Sequence, residues 1–292
     1  MFAVTGATGK VGGAVARALL AAGRSVRVVV RDIKKAVEWS SRGCDVAVAD
    51  INNAAELAQA FAGTDGVFVM LPPLFDPTPG FPEASALIAA LHGALLQAKP
   101  AQVVVLSTIG AQARRPNLLC QLGLLESAFA DLPMPVTFLR AAWFMENAAW
   151  DVEAARERGV IDSYLQPLDK PFPMVATEDV GRAAADLLLE QSRGHRVVEL
   201  EGPRRVSPHD LVEAFGKALG RPIRAEIVPR ERWEALFRGQ CMNNPLPRLQ
   251  MLDGFNEGWI EFERPGATRK GAITIDDAIA TLVAGSRRND AA

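Results

Sequence analysis

A short apolar run, Phe2-Ala3-Val4, leads into Thr5-Gly6-Ala7-Thr8-Gly9-Lys10-Val11-Gly12-Gly13, and a helix-forming stretch follows over 14–22. Strand, glycine-rich turn and helix, in that order, constrain the fold more than any other feature of the chain. The first N–H groups of a helix lack an intrahelical acceptor, and together with the helix dipole they form an anion site. The spacing of Gly6, Gly9 and Gly12 suits a tight turn, close backbone approach to a pyrophosphate, and close packing of helix on strand. Thr8 and Lys10 add a hydroxyl and a charge nearby. A second β-like run, Ser25-Val26-Arg27-Val28-Val29-Val30, follows at the distance a βαβ unit requires, so dinucleotide binding is expected rather than an ordinary strand-to-helix turn.

The alternation continues. Helices are expected near 33–40 and over 54–61, 83–98 and 118–129, and strands over 45–48, 66–71, 102–107 and 136–139. Pro72-Pro73 ends the fourth strand, and 74–82, with three more prolines, reads as a loop. Apolar strands alternating with helices imply a parallel sheet covered on both faces, an α/β doubly wound Rossmann sheet with right-handed crossovers. From Arg140 onward the pattern is less regular, with helices near 145–158, 208–219 and 233–238 and a strand near 197–200. The expected division is a dinucleotide-binding core over 1–140, completed by about 174–202. A smaller C-terminal α/β lobe over 141–173 and 203–286 would cover the substrate. The polar tail, 287–292, is expected to fray.

Length and charge narrow the partners. The chain has 292 residues and a formal net charge of −2, giving no global pull toward nucleic acid or anionic membrane. Small molecules or other protein chains are the expected partners, and a homodimer stays open. Cys44, Cys120 and Cys241 are too widely spaced for a disulfide framework or zinc site, and His92, His195 and His209 are scattered, so no metal is expected. No secretory signal or membrane-length apolar stretch is present, and a reducing cytoplasm fits.

The position after the second strand selects between the two nicotinamide dinucleotides. An acidic residue there bonds the ribose hydroxyls, whereas an arginine accommodates the 2′-phosphate. That position is Arg31, with Lys34 and Lys35 close behind, which favours NADP(H) over NAD(H). Asp32 beside it leaves a surface Arg-Asp pair as the alternative. Asp50, with Ile51, stands where a carboxylate can accept from an adenine amino group; the competing role is an N-cap for the helix near Asn53. Leu71, Pro72, Ser107 and Thr108 end the fourth and fifth strands on the carboxyl side, where ligands of open α/β sheets bind.

These residues resemble the NmrA-like family of atypical short-chain dehydrogenase/reductases. The likeness rests on Thr5 to Gly12, on Arg31-Asp32 with Lys35, and on Leu139-Arg140-Ala141-Ala142-Trp143-Phe144-Met145-Glu146-Asn147, and it extends to about residue 240. It implies NADPH-dependent reduction of quinones, azo dyes or triphenylmethane dyes, or alternatively a redox-sensing regulator that binds the cofactor without turnover and acts through a protein partner. Most of the wider superfamily uses a Tyr-x-x-x-Lys pair on the helix after the fifth strand as proton donor. Aligning Glu126 with the acidic residue that commonly follows that lysine puts Gly123 at the lysine and Leu119 at the tyrosine. The only tyrosine, Tyr164, has Leu168 four residues on.

That absence constrains the reaction. Hydride delivered to a simple ketone leaves an alkoxide about as basic as hydroxide, which calls for a positioned acid. A reduced quinone or extended dye is phenolate-like, with a pKa of about 10, and water can protonate it. Catalysis then consists mainly of holding the acceptor against the nicotinamide. Trp143, Phe144 and Met145 are candidates for an apolar wall, with Asn147 as polar anchor; packing at a helix start is the alternative. Ser107 and Gln121 are candidate donors to the acceptor, and local sequence places no base beside either. Phe255, Trp259 and Phe262 either cover the pocket or fill the core.

Overall fold

The apolar runs 2–5, 66–69, 103–107 and 136–141 lie side by side in one sheet and are buried on both faces. The computed structural model describes residues 1–190 and 192–289. Its first half runs β1 (Phe2–Thr5), α1 (Lys10–Ala21), β2 (Val26–Val30), a 3₁₀ turn at Ile33–Ala36, α2 (Val37–Ser41), β3 (Asp45–Val48), α3 (Ala54–Phe61), β4 (Gly66–Val69), α4 (Pro82–Ala98), β5 (Val103–Thr108), α5 (Cys120–Phe129) and β6 (Val136–Ala141). The second half adds β7 (Trp143–Phe144), a 3₁₀ segment at Met145–Asp151, α6 (Val152–Arg158), β8 (Val160–Ser163), β9 (Met174–Val175), α7 (Thr177–Leu189) and β10 (Arg196–Glu201). It ends with α8 (Pro208–Leu219), β11 (Arg224–Ile227), α9 (Trp233–Gly239), α10 (Leu246–Glu257), β12 (Arg269–Lys270) and α11 (Ile275–Asn289).

The main sheet has the order β3-β2-β1-β4-β5-β6-β10-β12, and every pairing in it is parallel. This is the doubly wound sheet expected, with its switch point between β1 and β4. Successive residues alternate between faces. Val4, Val28, Phe68 and Val104 pack under α1 and α7, whereas Ala3, Val29, Val67 and Val105 pack under α3, α4 and α5. A smaller parallel pair, β8 with β11, stands apart with α6 and α8 near it. β12, far along the chain, returns to the edge of the main sheet.

Several boundaries differ from expectation for physical reasons. α1 begins at Lys10 rather than near 14, because Gly12 and Gly13 are helical while packed on the turn. β4 ends at Val69, where Met70 N–H leaves the ladder to donate to Thr5 Oγ1 (3.3 Å). The helix expected over 145–158 is 3₁₀ as far as Asp151 and α-helical only from Val152. α7 carries no side-chain cap of its own; Glu146 reaches across to accept from Thr177 N and Oγ1 (2.8–3.0 Å). The expected frayed tail lies outside the described residues from Asp290 onward.

Candidate functional site

The chemistry gathers at the carboxyl edge of the sheet. Gly6 turns the chain after β1 with φ +66°, a left-handed conformation that favours glycine, and Gly9 N–H donates back to its carbonyl (2.9 Å). A Cβ on Gly12 would stand 2.3 Å from Gly6 O, so only glycine lets α1 start this close to the turn. Gly9 caps α1 with no side-chain acceptor, and the first bond closing the helix runs from Gly13 N–H to Gly9 O (3.0 Å). The N–H groups of Lys10, Val11 and Gly12 therefore point out unpaired among the described residues. Thr8 and Lys10 are exposed beside them. Such a donor set can hold a diphosphate.

Along the same edge, Arg31 follows β2, exposed and without a hydrogen bond or ion pair among the described residues. The alternative pairing with Asp32 does not form: Asp32 caps the 3₁₀ turn by accepting from Lys34 N–H (2.9 Å). Lys35 is exposed in that turn. Asp50 follows β3 and does not cap α3, because Asn53 does so by accepting from Ala55 and Glu56 N–H. The backbone and side-chain N–H groups of Asn52, bonded to Asp50, hold its carboxyl below the usual range, and the Arg31 charge acts the same way. Arg31 and Asp50 thus follow neighbouring strands on the same edge of the sheet. Ile51 is half-buried against the core. Leu71 is buried and Pro72 half-buried just past β4, and Thr108 is half-buried at the end of β5.

Ser107 corrects the expectation that no base lies beside it. The residue is 3% exposed, and its hydroxyl donates to Glu126 Oε1 at 2.5 Å. Arg140, directly opposite Ser107 in the β5–β6 register, clamps both oxygens of that carboxylate (2.7 and 2.9 Å) and donates to Glu263 as well. Glu199, next across the sheet, accepts from the Glu263 and Arg264 N–H groups. Burial opposes the Arg140 charge, yet the Glu126 and Glu263 carboxylates raise its pKa overall. The Ser107 hydroxyl therefore donates within this network. Gln121 Nε2 donates to Leu74 O (3.1 Å) and Leu118 O (3.0 Å). Gly123 has no room for a side chain, since a Cβ would stand 2.6 Å from Ala111 O.

The expected apolar wall is divided. Trp143 and Phe144 are half-buried in β7, paired with β9, and Trp143 meets Phe255 edge to face at 5.2 Å. Met145 does not line the wall: it is 1% exposed, packed in the core beneath Gly202. Asn147 is half-buried with no hydrogen bond among the described residues. Phe262 is core, and Trp259 lies under Arg115 and donates to Glu257.

A group that sequence reasoning missed stands at the mouth. Phe75 and Asp76, in the loop after β4, meet the C-terminal lobe: Asp76 accepts from Asn243 N–H (2.9 Å) and Asn244 N–H (2.7 Å), and these bonds hold its carboxyl below the usual range. Leu118, in the loop after β5, donates its N–H to Pro247 O (2.9 Å). Trp150, from the 3₁₀ segment after β6, packs edge to face on Phe75 at 6.1 Å and lies under the Arg248 guanidinium at 5.7 Å. Asp151, adjacent, is pushed up to about 7 by burial and by the charge of Asp162. No local pattern links these residues; only the convergence of three strand-end loops on 243–248 does. Among the described residues, no three His, Cys, Asp or Glu side chains form a group able to hold a metal, and no helix is long and apolar enough to cross a membrane.

Strand order, switch point and glycine turn define a Rossmann-type α/β protein. The NmrA-like family model matches residues 1–257, and the chain belongs to that family. It is similar to the NAD(P)H azoreductase of Xenophilus azovorans, 28% identical over 258 residues covering 88% of this chain and 85% of that one. It is similar also to a (4-alkanoyl-5-oxo-2,5-dihydrofuran-3-yl)methyl phosphate reductase of Streptomyces griseus, 29% identical over 230 residues covering 77% and 76%. In fold it matches an NADPH-dependent quinone oxidoreductase of Escherichia coli complexed with NADPH, with a TM-score of 0.80 at 21% identity, covering 97% of this chain and 99% of that one.

Proposed function

We propose that this chain is an NADPH-dependent reductase delivering hydride to a flat conjugated acceptor of the quinone or azo type, without a Tyr-x-x-x-Lys proton donor. The observation that carries it is Arg31, an unpartnered guanidinium on the same strand-end edge as the open N–H groups of α1. The reductase names of the Xenophilus and Streptomyces relatives and the quinone activity named for the Escherichia coli protein support it.

In this account Gly6, Thr8, Gly9, Lys10, Val11 and Gly12 hold the diphosphate. Arg31 and Lys35 take the 2′-phosphate, and Asp50 and Ile51 the adenine. Leu71, Pro72, Ser107 and Thr108 line the ribose and nicotinamide side. A reduced nicotinamide, when bound, supplies the hydride. Residues 1–140 with 174–202 hold the cofactor, and 141–173 with 203–286 cover the acceptor, apart from Arg269–Lys270, which lie in the main sheet. Trp143 and Phe144 offer the apolar wall and Asn147 a free amide. The absence of space at Gly123 fits an acceptor whose reduced anion water can protonate.

The test is direct. Purified protein with NADPH and a panel of quinones and azo dyes, followed at the NADPH absorbance, is expected to show turnover. Tight NADPH binding with no turnover above background on any acceptor would refute the enzyme and leave a cofactor sensor.

A further inference from the structure

Arg248 differs from the other arginines that the fold half-buries. Arg27 is paired with Asp45, Arg196 and Arg269 with Glu190, and Arg205 with Glu261, and Arg156 donates to Ser286 and to Val283 O. Arg248, in the first turn of α10, has no hydrogen bond or ion pair among the described residues. Its guanidinium lies 4.4 Å from the Phe237 ring centroid and 5.7 Å from that of Trp150. Ring contacts engage the faces of a planar guanidinium and leave its edge N–H groups unspent. Burial lowers the Arg248 pKa, as expected of a cation partly removed from water.

The surroundings supply the remainder of a binding site. Trp150 is 64% exposed and Phe75 45% exposed, so two aromatic rings stand open at the mouth formed by the loops after β4, β5 and β6. Tyr164 stacks on Phe237 at 5.3 Å, and its hydroxyl makes no hydrogen bond among the described residues. Burial, with Asp162 and Asp151, outweighs the Arg248 charge and raises its pKa, so the phenol remains a neutral donor.

We infer that Arg248 is an anion-recognition residue of the acceptor site, and that the preferred acceptors are flat conjugated molecules bearing a carboxylate or sulfonate. This deepens the reductase reading and rests on it for the word acceptor. The reducible ring lies along the Trp143–Phe144 wall, and the end that bears the anionic group reaches the mouth against Trp150 and Phe75, where it takes the edge N–H groups of the Arg248 guanidinium, with the Tyr164 hydroxyl as second donor. Cationic dyes are disfavoured by the same charge.

Two measurements on the full chain test this. The first compares kcat/KM for 1,4-naphthoquinone-2-sulfonate with that for neutral 2-methyl-1,4-naphthoquinone, in the wild type, Arg248→Met and Arg248→Lys. A charge-assisted pair of this kind corresponds to about 10- to 100-fold. The anionic-to-neutral ratio is expected to fall by about that factor in Arg248→Met, which keeps an apolar stem against the rings, and by less in Arg248→Lys. The second is calorimetric binding of naphthalene-2-sulfonate, which cannot be reduced, expected to weaken by a similar factor in Arg248→Met. An unchanged ratio, an equal loss on both quinones, or sulfonate binding that is absent or indifferent to Arg248 overturns the proposal. Reduction of neither quinone, with Arg248-dependent sulfonate binding intact, overturns the reductase reading and leaves the anion site standing. Should Arg248→Met fail to fold, Arg248→Lys and Arg248→Gln carry both measurements.

Discussion

Arg31 is a cation without a hydrogen bond or ion pair among the described residues. The neighbouring carboxylate of Asp32 is turned toward Lys34 N–H, and Asp50 across the strand ends is held by Asn52. A guanidinium left free at this position matches a phosphate on the ribose, and a carboxylate there would repel it while accepting from a ribose hydroxyl. Arg31→Asp is therefore expected to weaken NADPH binding by about 100-fold, the scale of a lost charge-assisted pair, and NADH binding far less. Calorimetric titration of both cofactors reads this directly; equal losses on the two would remove Arg31 from phosphate recognition. The position of Arg31 just past β2 was legible in the sequence because the strand before it is a local apolar run. The base beside Ser107, by contrast, was hidden: Glu126 comes from α5 and is clamped by Arg140 of β6, which only the register of β5 on β6 sets opposite Ser107.

At the scale of elements, the strand, turn and helix from Phe2 to Ala21 are encoded within one short segment, and the sequence showed them almost complete. α1 depends on closeness that a side chain would prevent, both at Gly12 and at Gly181 of α7, where a Cβ would stand 2.2 Å from Ala14 Cβ. Gly12→Ala is expected to push α1 off the turn. The loss of NADPH affinity should exceed 10-fold, with a stability loss of about 1–3 kcal/mol, read by titration and thermal unfolding. Unchanged affinity would mean that the N-terminus of α1 does not hold the cofactor. The elements that escaped sequence reasoning share a physical cause. β7, β9 and β12 have two residues each, too few for any periodicity, and α7 borrows its N-terminal acceptor from Glu146 rather than from a residue beside it.

For the whole molecule, one sheet edge carries the expected cofactor residues in strand order, and the loops after β4, β5 and β6 reach the lobe at 243–248. That closure was invisible in the sequence because Phe75, Trp150 and Arg248 come from three distant segments. The sheet itself was legible because each strand is a local apolar run. α5 carries neither the tyrosine nor the lysine of the wider superfamily. The proposed chemistry is direct hydride transfer with protonation left to water. The measurement that tests it is single-turnover reduction of a quinone with NADPH deuterated at the transferring C4 position. Transfer from the deuterated cofactor is expected to be slower, with a rate nearly flat between pH 6 and 8, about the range in which a histidine-like acid would titrate. NADPH bound tightly and left unoxidised, or a rate following one protein acid across that range, would contradict it.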